Sequence, residues 1–447
     1  MSEETNSPRS GEAQLGAGCP WHRTYDPSAV AELRDPYPTL ARARHEAPVF
    51  FSDVLGRWVI TRQDDVLDVI RDVEHFSNRL AMPVPEPPQA VWSRLPLKNG
   101  RAVYPSALTP LVMDDPEHRR ARKVIQAPFT PRALRDREPM IRDIANRLFD
   151  SGRGARIDLV NDYALPFALE VVSRIVGVPQ ADLPLILRGI DGVFKLNGLA
   201  LTDEREILAA AETVSEYWEY ISAMAESRCR EPREDFASVI AQTEGEAGRP
   251  TPREVAEHIH SLISPGFETT AQAITHGLHA LLTHREQWEV LKSDRSLLDQ
   301  AVMEMLRYRS VAKLLFREAT SDVVVGGVPI PAGSIVALSL ASADRDEDCY
   351  EHPDEFDITR RADNLAFGRW KHFCVGAPLA KLELKVTLET LIDRFPEATV
   401  LAGQELSWRP DSRIDALTSL QIDLGGGSAP ASADVRVPTA EPMSNDR

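Results

Sequence analysis

The chain has 447 residues, and its 51 Lys and Arg residues against 68 Asp and Glu residues give a formal net charge of -17 at pH 7. This acidic balance argues against non-specific binding to nucleic acid, which requires basic surface, so we expect no nucleic-acid partner. Hydrophobic residues make up 43% of the chain, enough for a sizeable core, and the lack of any run of about 18 apolar residues predicts no membrane span.

The two ends of the chain differ in composition from its middle. Residues 1–25 are largely polar and contain no apolar segment of the kind found in signal peptides. Residues 425–447 are rich in Gly, Ala, Ser and Pro, a composition typical of disorder. We therefore predict disordered tails at 1–25 and 425–447 and a single folded domain at 26–424.

Helical patterns dominate the region between the tails. Thr251, Pro252 and Glu254 form a capping-box sequence at the start of the longest helix. Pro139 is expected to kink the helix predicted at 134–149 or to delay its start. The segments with apolar residues at helical spacing are 134–149, 202–228, 251–282, 296–308 and 375–395.

Strand patterns are short and few, so we expect a mainly α fold with a small β region. Residues 323–330 read Val-Val-Val, Gly-Gly, Val-Pro-Ile, which predicts a hairpin with a two-residue turn and its proline on an edge. Further strands are expected at 49–51, 58–61 and 334–340. Residues 80–112 hold seven prolines, and a long loop of this kind in a compact domain is often functional.

The four cysteines lie far apart and include no C-x-x-C pair. This spacing argues against a disulfide scaffold, a structural zinc site and an iron–sulfur cluster, and it favours a reducing cytoplasm. The cysteines are Cys19, Cys229, Cys349 and Cys374.

Cys374 stands directly before the predicted helix at 375–395. The unpaired N–H groups and the positive dipole end of a helix favour a thiolate at such a position. A thiolate can act as a nucleophile or as a metal ligand. Because no partnered His and Asn arrangement supports a nucleophile, we favour a metal ligand over the alternative of a small buried hydrophobic residue.

Several segments along the chain, taken together, resemble the motifs of the cytochrome P-450 family. The resemblance covers roughly residues 30 to 424, and the order and separations of the segments are those of the family. The segments are DPYP at 35–38, DDPEHRRAR at 114–122, GFETT at 266–270, EMLR at 304–307, FDITR at 356–360 and FGRWKHFCVG at 367–376. The resemblance implies the cytochrome P-450 fold, with haem between the long central helix and the cysteine loop.

By this resemblance the cofactor is haem b, and Cys374 is the axial thiolate of its iron. Four side chains match partners of the haem propionates, and glycines and a phenylalanine match positions that flank the pocket or form the haem loop. The implied cofactor-binding residues are His118, Arg122, Gly266, Arg317, Phe367, His372, Cys374 and Gly376. Trp370 departs from the family, which usually has a glycine at this position of the loop.

Glu268 and Thr269 match the acid and alcohol pair that delivers protons to bound dioxygen in this family, and we expect them to be catalytic. Pro265 is expected to break or kink the long helix beside them, because proline has no N–H. Glu304 and Arg307, three apart on one helix face, match a buried ion pair that ties the 356–360 segment, through Arg360, to the haem loop.

The expected activity is insertion of one oxygen atom of O2 into a small, mainly apolar organic substrate, by hydroxylation or dealkylation. Electrons are expected from a ferredoxin and ferredoxin reductase, docked near Arg119, Lys123, Arg369 and Lys371. Substrate contacts are expected from the proline-rich segment and from residues 184–205, 261–269, 311–315 and 417–419. They include Phe194, Phe267, Leu314 and Leu417.

Two other functions remain as alternatives. The first is an atypical oxidation by a member of the same family, such as C–C coupling or desaturation in natural-product biosynthesis. The second is a haem-binding protein without catalytic activity, or a haem-free scaffold. The intact pair Glu268 and Thr269 favours ordinary oxygen activation over both.

Overall fold

A computed structural model of the chain describes residues 21–79, 97–98, 101–102, 110–151, 155–197, 204–245, 248–361 and 363–425. Residues 1–20 and 426–447, which form most of the predicted tails, and most of the proline-rich segment 80–112 lie outside these residues. Within the described ranges, no helix is both long enough and apolar enough to cross a membrane.

The described residues fold mainly into α-helices. In chain order the helices are α1 (Val30–Arg34), α2 (Tyr37–Glu46), α3 (Gln63–Arg71), α4 (Glu117–Ile125), α5 (Pro131–Ser151), α6 (Leu165–Val176), α7 (Leu183–Asn197), α8 (Glu204–Arg230), α9 (Phe236–Gln242), α10 (Pro252–Thr283), α11 (Arg285–Ser293), α12 (Leu298–Tyr308), α13 (Leu340–Ala343) and α14 (Ala377–Arg394). The five predicted helices are present as α5, α8, α10, α12 and α14, with ends shifted by a few residues.

The central helix α10 begins as its sequence predicts. The side chain of Thr251 accepts a hydrogen bond from the backbone N–H of Glu254, whose carboxylate in turn accepts from the N–H of Thr251 (2.8 Å). Most residues of the helix from Val255 to Leu282 are buried, as expected for a helix in the middle of a core. It packs against α6, α8 and α12.

Prolines inside two helices do not interrupt them. Pro139 lies within α5 and Pro265 within α10, and both helices continue past the proline. A proline removes only its own N–H from the helical hydrogen bonds, so the carbonyl four residues earlier loses its partner. The break expected at Pro265 is therefore limited to the one hydrogen bond that the carbonyl of Ser261 would accept.

The β region comprises one larger sheet and three small ones. The strands are β1 (Val49–Ser52), β2 (Arg57–Ile60), β3 (Phe76–Ser77), β4 (Leu97–Lys98), β5 (Arg101–Ala102), β6 (Arg156–Asp158), β7 (Leu314–Ala319), β8 (Val323–Val325), β9 (Val328–Ile330), β10 (Ile335–Ser339), β11 (Thr399–Val400) and β12 (Gln421–Asp423). The larger sheet has the order β1-β2-β10-β7-β3, with β10 parallel to β2 and the other neighbours antiparallel. The predicted hairpin is β8–β9, and both turn residues, Gly326 and Gly327, have positive φ, as a type I′ turn requires.

The larger sheet is buried on both faces. Successive side chains of a strand point to opposite faces, so on β2 Trp58 and Ile60 enter one apolar cluster while Val59 enters another. A third, larger cluster surrounds α10 and is built mostly from helices. The sheet and the helical core thus flank the loop between α13 and α14, which carries Cys374.

The last residues of the N-terminal tail predicted at 1–25 are part of the folded domain. Trp21, His22 and Tyr25 are buried, and Trp21 and Tyr25 belong to the cluster on the second face of the sheet. His22 contacts the β1 end through its ring nitrogen and the carbonyl of Phe51 (3.1 Å). The segment is polar on average, but its aromatic residues Trp21 and Tyr25 pack against one face of the sheet.

Candidate active site

The Cys374 loop is held by short-range backbone hydrogen bonds. The N–H of Cys374 donates to the carbonyl of Phe367 (2.9 Å), and the N–H of Gly368 donates to that of Leu365 (2.8 Å). Gly376 is the N-terminal capping residue of α14, and the N–H groups of Gly376 and Ala377 donate to the sulfur. The side chain therefore stands at the start of a helix, as the sequence predicts.

The pKa of the Cys374 thiol is raised, which corrects the expectation of a stabilised thiolate. Desolvation raises the pKa, and the two N–H donors and the charge of Arg122 only partly oppose it. Cys374 is nevertheless exposed. A thiol that is both desolvated and accessible faces an internal space, and deprotonation there needs a further positive charge, such as a metal ion.

Trp370 keeps the left-handed backbone conformation that a glycine would adopt. Its φ is 51°, next to Gly368 at 67°. A side chain held in this region costs about 1–3 kcal/mol. The guanidinium of Arg71, on α3, lies 4.8 Å from the centre of the indole ring, a cation–π contact that offsets about 0.5–1 kcal/mol at an exposed site. The loop has thus retained its turn and carries the strain.

Four predicted cofactor-binding side chains come together beside the Cys374 loop. The ring centres of His118, on α4, and His372 are 4.0 Å apart. Arg122, one turn along α4, donates from Nη1 to the carbonyl of Phe373 (2.5 Å). Burial first, and then the charges of His118 and Arg317, lower the pKa of His372 to about 3. His372 is therefore neutral near pH 7, and Arg122 and Arg317 supply the positive charge at this place.

Arg317 gives the sharpest test of whether this place fits haem. It lies on β7, is 4% exposed, and among the described residues its only hydrogen bond runs from Nη1 to the carbonyl of Phe316 (2.7 Å). Burial lowers the pKa of its guanidinium to about 10. A guanidinium has five N–H donors, so most of its donors have no partner. Haem b carries two propionate groups, and a carboxylate is the partner that this buried charge needs.

One face of α10 is partly exposed. Pro265 is exposed and Gly266 and Thr269 are half-buried, whereas Ser264, Phe267, Glu268 and Thr270 are buried. Pro265 and Thr269 are four residues apart and so share a helix face. The hydroxyl of Thr269 donates to the carbonyl of Pro265 (2.7 Å). Gly266 points elsewhere: a Cβ there would lie 3.2 Å from Val172 Cγ2, so its lack of a side chain allows α10 and α6 to approach closely.

Glu268 has a partner that the sequence did not predict. Its carboxylate is buried and paired with the guanidinium of Arg409, which belongs to the C-terminal turn and donates its N–H to the carbonyl of Ala416 (2.9 Å). The two residues are 141 positions apart. No local pattern in the sequence signals such a contact.

The predicted ion pair on α12 is present and buried. Arg307 donates from Nε and Nη2 to the two carboxylate oxygens of Glu304 (2.7 and 2.8 Å). Its Nη1 donates to the carbonyls of Asp344 and Pro353 (2.9 and 2.8 Å). Arg360 lies 3.4 Å from the same carboxylate. The expected link from α12 to the 356–360 segment therefore exists.

Asp344 is a second linking residue, and the sequence analysis missed it. One carboxylate oxygen accepts from the N–H of Leu365 and the other from the hydroxyl of Ser310, both at 2.7 Å. Burial raises the pKa of Asp344 to about 7, although these two bonds and Arg307 oppose the shift. The carboxylate joins the end of α12 to the start of the Cys374 loop.

The predicted substrate contacts lie in two different apolar clusters. Phe267 and Leu417 lie in the helical core, and Leu314 lies in the cluster on the second face of the sheet. The side chain of Phe194 is outside the described part of the structure. Gln272, on α10, bonds both the N–H and the carbonyl of Leu417 (3.0 Å each), so the turn at 417–419 is fixed to the central helix.

Two of the predicted docking charges, Lys371 and Arg369, form ion pairs with acidic residues of the chain. Lys371 lies 2.6 Å from a carboxylate oxygen of Asp115, and Arg369 lies 2.7 Å from one of Asp363. Arg119 and Lys123, also predicted as docking charges, are exposed on α4.

Comparison with known proteins identifies the same family that the sequence motifs resemble. The family model described as Cytochrome P450 matches residues 154–404. The chain is 32% identical over 388 residues to Cytochrome P450 CYP107DY1 of Priestia megaterium, covering 85% of this chain and 93% of that protein. It is 31% identical over 422 residues to the Vitamin D(3) 25-hydroxylase of Pseudonocardia autotrophica, covering 93% and 97%. The solved structure of Cytochrome P450 CYP109Q5 from Chondromyces apiculatus matches with a TM-score of 0.78 and 33% identity, covering 90% of this chain and 98% of that one.

Proposed function

This chain belongs to the cytochrome P450 family, whose members bind haem b and act as monooxygenases, and from that premise we propose that it inserts one oxygen atom of O2 into a small, mainly apolar organic substrate. The electrons come from a ferredoxin and its reductase. The observation that carries this proposal is the buried, largely unpartnered guanidinium of Arg317 beside His118, Arg122 and His372, next to an accessible cysteine at a helix start.

Different residues of the site would hold different parts of haem b. Cys374 supplies the iron ligand, and the N–H groups of Gly376 and Ala377 donate to its sulfur, which tunes how strongly the thiolate donates electrons. Arg317, with the neighbouring histidines and Arg122, pairs with the propionates. Phe367 closes the loop through its carbonyl bond to the N–H of Cys374. Gly266 lets α10 pack closely against Val172 of α6.

When bound through a thiolate, haem b supplies cleavage of the O–O bond of O2 and transfer of one oxygen atom to the substrate. That chemistry consumes protons, and the chain's own residues hold them. The hydroxyl of Thr269 lies on the partly exposed face of α10, with its proton donated to the carbonyl of Pro265. Glu268 precedes Thr269 in the helix, and its carboxylate is paired with the guanidinium of Arg409.

An apolar substrate is supported by two observations. The elements around the partly exposed face of α10 belong to the large apolar cluster. One relative is named Vitamin D(3) 25-hydroxylase, and vitamin D3 is a mainly apolar molecule. Oxygen insertion is favoured over coupling or desaturation because both Glu268 and Thr269 are present.

The test uses the purified haem-loaded protein, reduced with dithionite and exposed to carbon monoxide. A strongly red-shifted Soret band is expected for the wild-type protein, and Cys374→Ser should lose it. The protein is then supplied with a ferredoxin, its reductase and a panel of apolar compounds in isotopically heavy O2. A product that contains one heavy oxygen atom supports the proposal. A protein with no haem band, or with a product that contains no oxygen from O2, contradicts it.

A further inference from the structure

Three polar side chains of α10 hold the C-terminal turn, which comprises residues 409–417. Glu268, Gln272 and His276 follow one another at intervals of four residues, so they lie along one face of the helix. Their partners in the turn are Arg409 for Glu268, Leu417 for Gln272 and Asp415 for His276. The turn is therefore attached to α10 at three successive points.

The His276 end of this attachment is held firmly. Asp415 is 2% exposed, its carbonyl lies 3.1 Å from Nε2 of His276, and its carboxylate lies 2.5 Å from Nε of Arg309. Lys313 holds the turn as well, because its buried ammonium group donates to the carbonyl of Asp411 (2.6 Å). Charges that have lost their water need such partners, so this end of the turn resists displacement.

The Arg409 end is held more weakly. The side chain of Arg409 is 47% exposed, against 11% for that of Glu268, and ion pairs that water reaches contribute little to stability. By contrast Gln272, at the middle point, is 2% exposed and bonds both the N–H and the carbonyl of Leu417 (3.0 Å each). The Glu268–Arg409 pair is therefore the attachment that breaks first when the turn is pushed away from α10.

Arg409 lies where three of the segments predicted to contact substrate come together. The pKa of its guanidinium is raised, because burial lowers it but the charges of Glu268, Asp411 and Asp191 outweigh burial. Its backbone N–H donates to the carbonyl of Ala416 (2.9 Å). The three segments are 184–205, 261–269 and 417–419, which contain Asp191, Glu268 and Leu417. Arg409 thus connects elements from three sides of the predicted substrate pocket.

We propose that Arg409 determines the width of ligand that the substrate pocket admits, as a positioning residue that holds the weaker end of the C-terminal turn against Glu268. This inference rests on the proposed function, since the predicted substrate pocket is the space that the turn borders. A narrow ligand leaves the Glu268–Arg409 pair intact. A wide ligand has to push the turn away from α10 at the Arg409 end, and the pair opposes this movement. The ion pair therefore selects against wide substrates.

The test measures the binding of two azoles to the ferric holoprotein from the shift of its Soret band. Imidazole is the narrow probe, and clotrimazole, an imidazole that carries three aromatic rings, is the wide probe. In Arg409→Met the Kd for clotrimazole should fall by about fivefold, the effect of removing one partly exposed ion pair, while the Kd for imidazole stays unchanged. Arg409→Lys keeps the positive charge, so its Kd for clotrimazole should fall less.

Glu268→Gln breaks the same pair from the other side. It should lower the Kd for clotrimazole by a similar factor, and the double variant with Arg409→Met should show no further fall, because both changes remove one interaction. The matched control is Arg295→Met, which removes an exposed ion pair with Asp393 (2.9 Å) outside the three segments and should leave both Kd values unchanged.

A ratio of the two Kd values that Arg409→Met leaves as in the wild type overturns the proposal. So does a fall in Arg409→Lys as large as that in Arg409→Met, because the charge then has no role. If Arg409→Met takes up no haem, the ratio in Glu268→Gln decides. These titrations involve no O2, so their failure is separate from that of the proposed function, which fails when the product contains no oxygen from O2.

Discussion

Replacing Arg317 with methionine should have opposite effects on the haem-free and the haem-loaded protein. In the haem-free chain the guanidinium is buried, with one side-chain hydrogen bond and no carboxylate at ion-pair distance among the described residues. A pKa lowered to about 10 corresponds to a penalty of roughly 3 kcal/mol on the charged form. Methionine removes that penalty and forfeits the bond to Phe316, worth about 1 kcal/mol. The haem-free protein should therefore gain about 2 kcal/mol of stability.

In the haem-loaded protein the same substitution leaves a buried propionate without its cation. Removing one member of a buried ion pair costs about 3–5 kcal/mol, so haem affinity should fall by at least about a hundredfold. Urea unfolding followed by far-UV circular dichroism measures the first effect on haem-free protein. Transfer of haem to an excess of a haem-scavenging protein, followed in the Soret region, measures the second.

Arg309 provides the matched control, because it is a buried arginine that does have a carboxylate partner. Its Nε lies 2.5 Å from Asp415. Arg309→Met should destabilise the protein with and without haem, since it removes the guanidinium closest to the buried carboxylate of Asp415. If Arg317→Met also destabilises the haem-free protein, Arg317 is not an unpaired charge. If haem transfer is unaltered, Arg317 does not hold a propionate.

Three further predictions follow from the site. Thr269→Ala should keep haem and substrate binding while less of the NAD(P)H consumed yields product; unchanged coupling, measured as product per NAD(P)H, would remove Thr269 from the proton path. Glu304→Ala strands the buried charge of Arg307, so about 3–5 kcal/mol is lost and the protein should purify without haem, whereas Glu304→Gln should retain part of it; full Soret absorbance in the alanine variant would refute the supporting role. Because the pKa of Asp344 is raised to about 7, its contribution to stability is present below about pH 4 and declines as pH rises to about 7. Asp344→Asn should flatten this decline in urea unfolding at pH 5 and pH 8, and an unchanged slope would argue against a raised pKa.

Features set by neighbouring residues were predictable from the sequence. The capping box at Thr251 fixes the first turn of α10 through contacts within three residues. The Gly326-Gly327 pair defines the β8–β9 turn, because only glycine takes two successive positive φ values at low cost. The Glu304 and Arg307 pair follows from helix geometry.

Features set by distant residues were not predictable in this way. The partner of Glu268 comes from a turn near the C-terminus, and nothing around Glu268 or Arg409 indicates the contact. The helix position of Cys374 was correct, but the direction of its thiol pKa depends on how much protein surrounds the sulfur. Asp344 follows the short helix α13 as its C-capping residue, and its partners Ser310 and Leu365 come from the end of α12 and the Cys374 loop.

The buried N-terminal segment has a consequence for how the chain folds during synthesis. Trp21 and Tyr25 share their cluster with Leu314 and Phe316 of β7 and with residues of β10 and α13. About 290 residues separate Tyr25 from Phe316, so at about 5–20 residues per second the ribosome takes about 15–60 s to supply the missing partners. During that time the aromatic side chains of the first-made segment lack their native cover. Production of the intact protein should therefore respond to chaperone supply and to translation rate, with aggregation arising from the N-terminal end of nascent chains.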